Sequence, residues 1–225
     1  MKPKAVFMTK AELARQHIQE MIVSGAVRAG ARITTREIAE ALGMSETPIR
    51  EALRSLSAEG WLDFHAHLGV VVASFNSDHV HEVYALRGML GALAIELGAP
   101  SYDVDRLAEI DRNIAESEAA VSSTDAGLYA RLNHDFHVLL CDTPHSQWSL
   151  KLLVNLRAQT MAMHRGFEAV PQRMRASLDE HRDIRKAISS GDYDRAATLV
   201  RQHEEAAGLA LIGELDRSRA ELAAK

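Results

Sequence analysis

The sequence predicts a mainly α protein: an N-terminal winged helix-turn-helix over residues 1–75, then an all-α bundle of six or seven helices over residues 78–225. Three observations predict it. Residues 34–60 read as two short helices joined at a glycine. Residues 61–75 carry two β-rich runs about a small turn. From Asp78 onward the chain has helical periodicity and no strand alternation. A length of 225 residues suits one or two domains, and 47% apolar content suffices for packed cores.

The first helix is read in KAELARQHIQEMIV, with Leu13, Ile18, Met21 and Ile22 inward and an end near Gly25. Thr34 and Glu37 then have the spacing of a capping box, which starts the second helix. Ile38, Ala39 and Leu42 give that helix an apolar face. Gly43 can take the positive φ that ends it and opens a sharp turn. Ser45 is a good N-cap for the third helix, and Pro48 sits in its first turn, where a missing N–H costs little. Ile49, Leu53 and Leu56 fall at i, i+4 and i+7 and face inward, while Glu46, Thr47, Arg50 and Arg54 lie opposite. A tight turn followed by a helix with an outward polar face fits a helix-turn-helix, whose second helix enters a DNA major groove. In WLDFHAHLGVVVASF, two β runs with Gly69 near the tip form a hairpin wing. The domain boundary is placed at Phe75-Asn76-Ser77-Asp78.

The second domain begins with a long helix whose inward face is read as Val80, Val83, Arg87, Leu90, Ala94 and Leu97. Leu107, Ile110 and Ile114 line a second helix. Leu132, Phe136, Leu139 and Leu140 line a third, which ends before Asp142-Thr143-Pro144. Leu150, Leu153, Val154 and Met161 mark a fourth. Residues 171–190 and 192–217 supply two more, split at Ser189-Ser190-Gly191-Asp192.

Composition excludes several classes. One cysteine, Cys141, leaves no disulfide framework within a chain and points to a reducing compartment. No run is apolar enough for a signal peptide or a bilayer span, so a cytoplasmic location with no membrane partner is expected. The net charge of −5 is unevenly placed: residues 1–75 carry a net of +1 and residues 76–225 a net of −6. The basic footprint of the first part is modest, so DNA affinity must depend on a few placed arginines and on dimerisation.

The pieces SGAVRAGARIT, REIAEALGMSETPIREALRSLSAEGWL and the wing at LGVVV resemble the winged-helix domain of GntR-type bacterial transcription regulators over residues 9–74. The resemblance implies operator contacts from Arg36, Ser45, Glu46, Thr47 and Arg50, and from the wing near His67 and Gly69. Relatives commonly have Arg at the position of Glu46. A carboxylate cannot make the bidentate contact of Arg to guanine, but it can accept from cytosine N4. The plainer reading of Glu46 is a favourable charge at a helix N-terminus.

Asn133 and His137 stand at i, i+4 and share a helix face. His181 and His203 follow, 22 residues apart, around EHRDIRKAISSGDYDRAATLVRQH. This pattern resembles the FCD ligand-binding domain of the FadR-type branch of the same family. The resemblance implies a divalent metal (Zn, Ni or Mn) held by Asn133, His137, His181 and His203, a ligand set suited to such ions. Many relatives have Asp where this chain has Asn133, and an amide is the weaker ligand. The resemblance also implies that Arg87 faces an effector cavity, where a guanidinium can hold a carboxylate bidentately. An intrahelical or intersubunit salt bridge is the alternative for Arg87. Relatives often have Glu where this chain has Gly91. The function implied is that of a homodimeric regulator, most often a repressor, on a near-palindromic operator, responding to a small organic acid. A metal-sensing repressor and a metal-dependent hydrolase are the rivals; no convincing general base stands beside the histidines.

Overall fold

The computed structural model describes residues 8–65, 69–74, 76–164 and 170–223. Its contacts divide the chain into two compact units, Met1–Ser74 and Phe75–Lys225.

In the first unit, α1 (Lys10–Val23) starts at a capping box in which the Thr9 hydroxyl accepts from Glu12 N and the Glu12 carboxylate accepts from Thr9 N. It buries Ala14, Ile18 and Ile22. Leu13, expected inward, is exposed, and Met21 is half-buried. The buried stripe runs at strict i+4 spacing, so a residue one position off it lies about 100° away around the helix. The short β1 (Arg32–Ile33) follows. Helix α2 (Thr35–Leu42) carries the Thr34–Glu37 capping box and ends at Gly43, whose φ is 61°. Helix α3 (Glu46–Ala58) buries Ile49, Ala52, Leu53 and Leu56. Strands β2 (Leu62–His65) and β3 (Gly69–Val72) pair antiparallel, with Leu62 opposite Val72 and His65 opposite Gly69. The sheet order is β1-β3-β2, so the wing is three-stranded. Two residues cannot show an alternating pattern, and periodicity therefore gives no sign of β1.

The second unit holds six α-helices among the described residues. Helix α4 spans Ser77–Gly98, capped by the Asn76 side chain, which accepts from His79 N. A 3-10 turn at Ala99–Ser101 leads towards α5 (Val104–Ser122). Asp103 caps α5, and Asp125 caps α6 (Ala126–Cys141). Then come α7 (Gln147–His164), α8 (Met174–Ser189) and α9 (Tyr193–Ala223). One core gathers Ile95, Ile110, Phe136, Leu140, Leu153, Ile184 and Val200. No helix among the described residues is long and apolar enough to cross a membrane.

Helices α4 and α9 approach closely because glycines line their seam. A Cβ at Gly88 would lie 3.3 Å from Arg201 Cα, and one at Gly91 would lie 2.8 Å from Val200 Cγ1. A Cβ at Gly208 would lie 2.9 Å from Tyr84 Cβ. This seam decides which face of α4 is buried: Val80, Val83, Tyr84, Arg87, Gly88, Gly91, Ala94 and Ile95. Leu97, expected inward, is exposed, and Leu90 is half-buried. Helix α4 is apolar over most of its circumference, so hydrophobic spacing alone could not orient it.

Candidate functional site

The interior of the second unit is polar where α4, α6, α7, α8 and α9 meet. His137 on α6, His181 on α8 and His203 on α9 are all buried, with one ligand atom of each within 4.8 Å of the others. His137 Nε2 and His203 Nε2 stand 3.1 Å apart. Behind His203, Nδ1 lies 2.7 Å from Glu180 Oε2. An ionised carboxylate only accepts, so Nδ1 donates to it and Nε2 is the nitrogen that faces the centre. The ring of His181 stacks on Phe136, centroids 3.8 Å apart. That contact orients the ring, yet neither of its nitrogens has a hydrogen-bond partner among the described residues.

Burial holds His137 and His181 well below the usual histidine range, with the Arg157 charge next for His137 and the His203 ring next for His181. Both are therefore neutral near pH 7 and offer lone pairs, the form a metal requires. Asn133 is buried one turn before His137 and lines the same cavity as His203; its Oδ1 also lacks a partner. An unmet buried polar atom costs about 1–3 kcal/mol. Two convergent imidazoles, an unpartnered third and an unpartnered amide oxygen fit a divalent ion, which would satisfy these atoms together and act as a Lewis acid towards a bound anion.

Beside the histidines lies an ion cluster. Glu204, the residue after His203, is fully buried. Its Oε2 is 2.7 Å from Arg87 Nη2, and its Oε1 is 2.7 Å from Arg157 Nη1. Oε1 also lies 3.6 Å from His137 Nδ1. Arg87 donates from Nη1 to Thr160 Oγ1 at 3.0 Å, and its guanidinium sits 4.1 Å from the Tyr84 ring centroid. Arg157 donates from Nη2 to the Asn133 carbonyl at 3.3 Å. Burial opposes the Arg87 charge, but Glu204 and Tyr84 together outweigh it and hold Arg87 above its ordinary value. Burial, with Arg87 adding to it, draws Arg157 down to about 10. Burial likewise opposes the Glu204 carboxylate, and the two arginines overcome that and hold it below the usual range. All three groups are charged at neutral pH, and the triad carries a net +1. Arg173 clamps Glu180 from the cavity wall at 2.8 and 2.6 Å. The cavity itself measures about 40 Å³.

Arg87 therefore faces the cavity, and its salt bridge runs between two helices of one subunit to Glu204. Sequence reasoning missed Glu204, Arg157 and Glu180. An arginine inside the apolar run LLVNLRAQT was the one available signal for Arg157. Nothing in the spacing pointed to Glu204, because its partners lie 117 and 47 residues away.

In the first unit, Ser45, Glu46, Thr47 and Arg50 are exposed on the outer face of α3, opposite its buried leucines. Ser45 stands at the N-cap without a side-chain bond to the first turn. Glu46 pairs with Arg50 at 2.7 Å, and Arg36 pairs with Glu40 at 2.8 Å. Gly69, with φ of 81°, is exposed at the start of β3. His67 lies outside the described residues.

A winged helix-turn-helix joined to an all-α bundle defines a two-part class of DNA-binding regulator. Residues 10–72 match the bacterial regulatory proteins of the gntR family, and residues 82–206 match the FCD domain. The chain belongs to the GntR family of transcription regulators, in the branch that carries an FCD domain. This family consists of regulators rather than enzymes, which disposes of the hydrolase rival. The HTH-type transcriptional regulator YdhC of Bacillus subtilis is 29% identical over 187 residues, covering 83% of this chain and 84% of its own. The gluconate operon transcriptional repressor of Bacillus licheniformis is 22% identical over 195 residues, covering 81% and 76%. The McbR/YncC structure from Escherichia coli shares the fold with a TM-score of 0.77 at 20% identity, covering 93% of this chain and 100% of that one.

Proposed function

We propose that this protein is a homodimeric repressor. It binds a near-palindromic operator through α3 and the wing, and releases it when a small organic acid binds at a metal-loaded centre in the α bundle. The observation that carries the reading is the buried centre itself. His181 and Asn133 offer unmet polar atoms, His137 and His203 converge beside an arginine pair, and the ion cluster keeps a net positive charge without solvent to screen it. In this reading Asn133, His137, His181 and His203 hold a divalent ion such as Zn, Ni or Mn, and Arg87 receives the effector carboxylate. On the DNA side, Arg36 and Arg50 supply charge, Ser45, Thr47 and Glu46 meet base edges, and His67 and Gly69 of the wing reach backbone or minor groove. The effector acts only through unequal affinity for the DNA-competent and DNA-released arrangements.

A second reading is favoured by one observation. Glu204 already fills the arginine pair, and the cavity of about 40 Å³ is small, as a sensor of metal alone would have it. One experiment weighs both. An operator is found by selection on random DNA, and binding is followed by anisotropy with metal, di- and tricarboxylates, or both. Release only with both supports the acid effector; release with metal alone supports the metal sensor. Arg50→Ala should lose operator binding, and His181→Ala should lose metal and response while keeping operator binding. Indifference to every addition would sink the sensing role.

A further inference from the structure

Glu204 is a carboxylate placed where a carboxylate ligand of Arg87 and Arg157 would sit. Each of its oxygens takes one guanidinium at 2.7 Å, and the side chain is fully buried. The cavity lined by the two arginines, about 40 Å³, has room for a few waters. An organic acid that takes these same guanidinium N–H groups must displace Glu204 from them. The two arginines are also the only buried guanidiniums paired with this carboxylate among the described residues. We propose that Glu204 is a tethered competitor: the effector's carboxylate must exchange with it on the Arg87–Arg157 pair, so that Glu204 sets the strength and selectivity of acid binding. The inference rests on the reading of this centre as an anion site.

The physics of the exchange is that of effective concentration. A carboxylate on the same chain competes at an effective concentration of at least the millimolar order, before any gain from its fixed geometry. A free acid must overcome that by adding contacts of its own, for which Thr160, Asn133 and Arg173 line the route. Weak monocarboxylates are thereby refused, and acids with a second anionic group are favoured. His137 Nδ1, now 3.6 Å from Glu204, is a polar group within reach of the displaced carboxylate. Because Glu204 and His203 are neighbours on α9, an exchange on the arginines is felt at the histidine centre and along the α4–α9 seam.

The deletion Glu204→Ala removes CH2–COO⁻, which is acetate in shape and charge. The variant leaves two buried guanidiniums unpaired and should melt roughly 5 °C or more below the wild type. Adding acetate to 100 mM, with chloride as the ionic-strength control, should restore much of that loss. The wild type and Arg87→Ala/Glu204→Ala should show no response beyond chloride. In the milder Glu204→Gln, metal-loaded as the wild type is, succinate and citrate should bind at least 10-fold tighter by calorimetry. A Glu204→Ala variant indifferent to acetate, or a Glu204→Gln variant that binds acids no tighter, overturns the proposal. If Glu204→Ala does not fold, the Glu204→Gln titration decides alone. Acids that release operator from the wild type without binding Glu204→Gln more tightly would leave the acid effector standing and remove the competitor. Acetate rescue with no acid-driven operator release would do the reverse.

Discussion

At His203 the imidazole is held from behind by a carboxylate, which is itself clamped by a guanidinium: Nδ1 to Glu180 at 2.7 Å, and Glu180 to Arg173 at 2.8 and 2.6 Å. Such a partner fixes the tautomer and raises the basicity of the ligating nitrogen, and its loss typically costs 10–100-fold in metal affinity. Glu180→Gln is therefore expected to weaken the binding of Zn by that factor, measured by competition with a chromophoric chelator. An affinity within twofold of the wild type would show that His203 needs no such support. The three histidines were legible through the resemblance to the FCD pattern; helical spacing by itself gave only the shared face of Asn133 and His137. Their supports were not. Glu180 precedes a histidine it does not serve and serves one 23 residues on, and Glu204 reaches across to α4 and α7. Pairings between helices depend on how the helices pack, which local spacing does not encode.

Among the elements, the α4–α9 seam does the positioning. Close approach at Gly88, Gly91 and Gly208 brings Arg87 within 2.7 Å of Glu204. It also accounts for Gly91 where relatives often have Glu: even a Cβ there would press on Val200. Two alanine substitutions on the one helix separate packing from propensity. At Gly208 the new methyl would meet Tyr84 Cβ at 2.9 Å, and overpacking costs about 1–3 kcal/mol. At Gly213 nothing lies within 4 Å, so alanine should only gain helix propensity, up to about 1 kcal/mol. Gly208→Ala is thus expected to lower the urea midpoint and Gly213→Ala to raise it. Equal shifts would mean that the seam is not tightly packed. The Thr34–Glu37 capping box and the Gly43 turn were readable from residue order because their chemistry is confined to four or five consecutive residues. The inward faces of α1 and α4 were misjudged at Leu13 and Leu97, where several apolar residues competed for one buried stripe.

For the whole molecule, charge and surface together constrain how DNA is held. A net of +1 over residues 1–75 gives one DNA-reading unit little electrostatic attraction, and Glu46 spends part of it on Arg50. Two such units acting jointly gain by effective concentration, which is the physical case for the proposed homodimer. Helix α4 offers a surface for it. Leu86, Met89, Leu93 and Leu97 recur every three or four residues along one outward stripe, from 42% exposed at Leu86 to 62% at Met89. A contiguous apolar stripe of this kind marks an interaction surface. Placing charge on it by Met89→Glu with Leu93→Glu should yield a folded monomer by sedimentation at micromolar concentration. The monomer should bind a half-site weakly. Its slope of log affinity against log salt should be about half that of the wild type on the full operator, since each unit releases its own set of counterions. A variant that stays dimeric with an unchanged slope would place the dimer contact elsewhere. One that is monomeric yet keeps the full slope would show that a single unit makes all the phosphate contacts, and the two-fold operator would have to be abandoned.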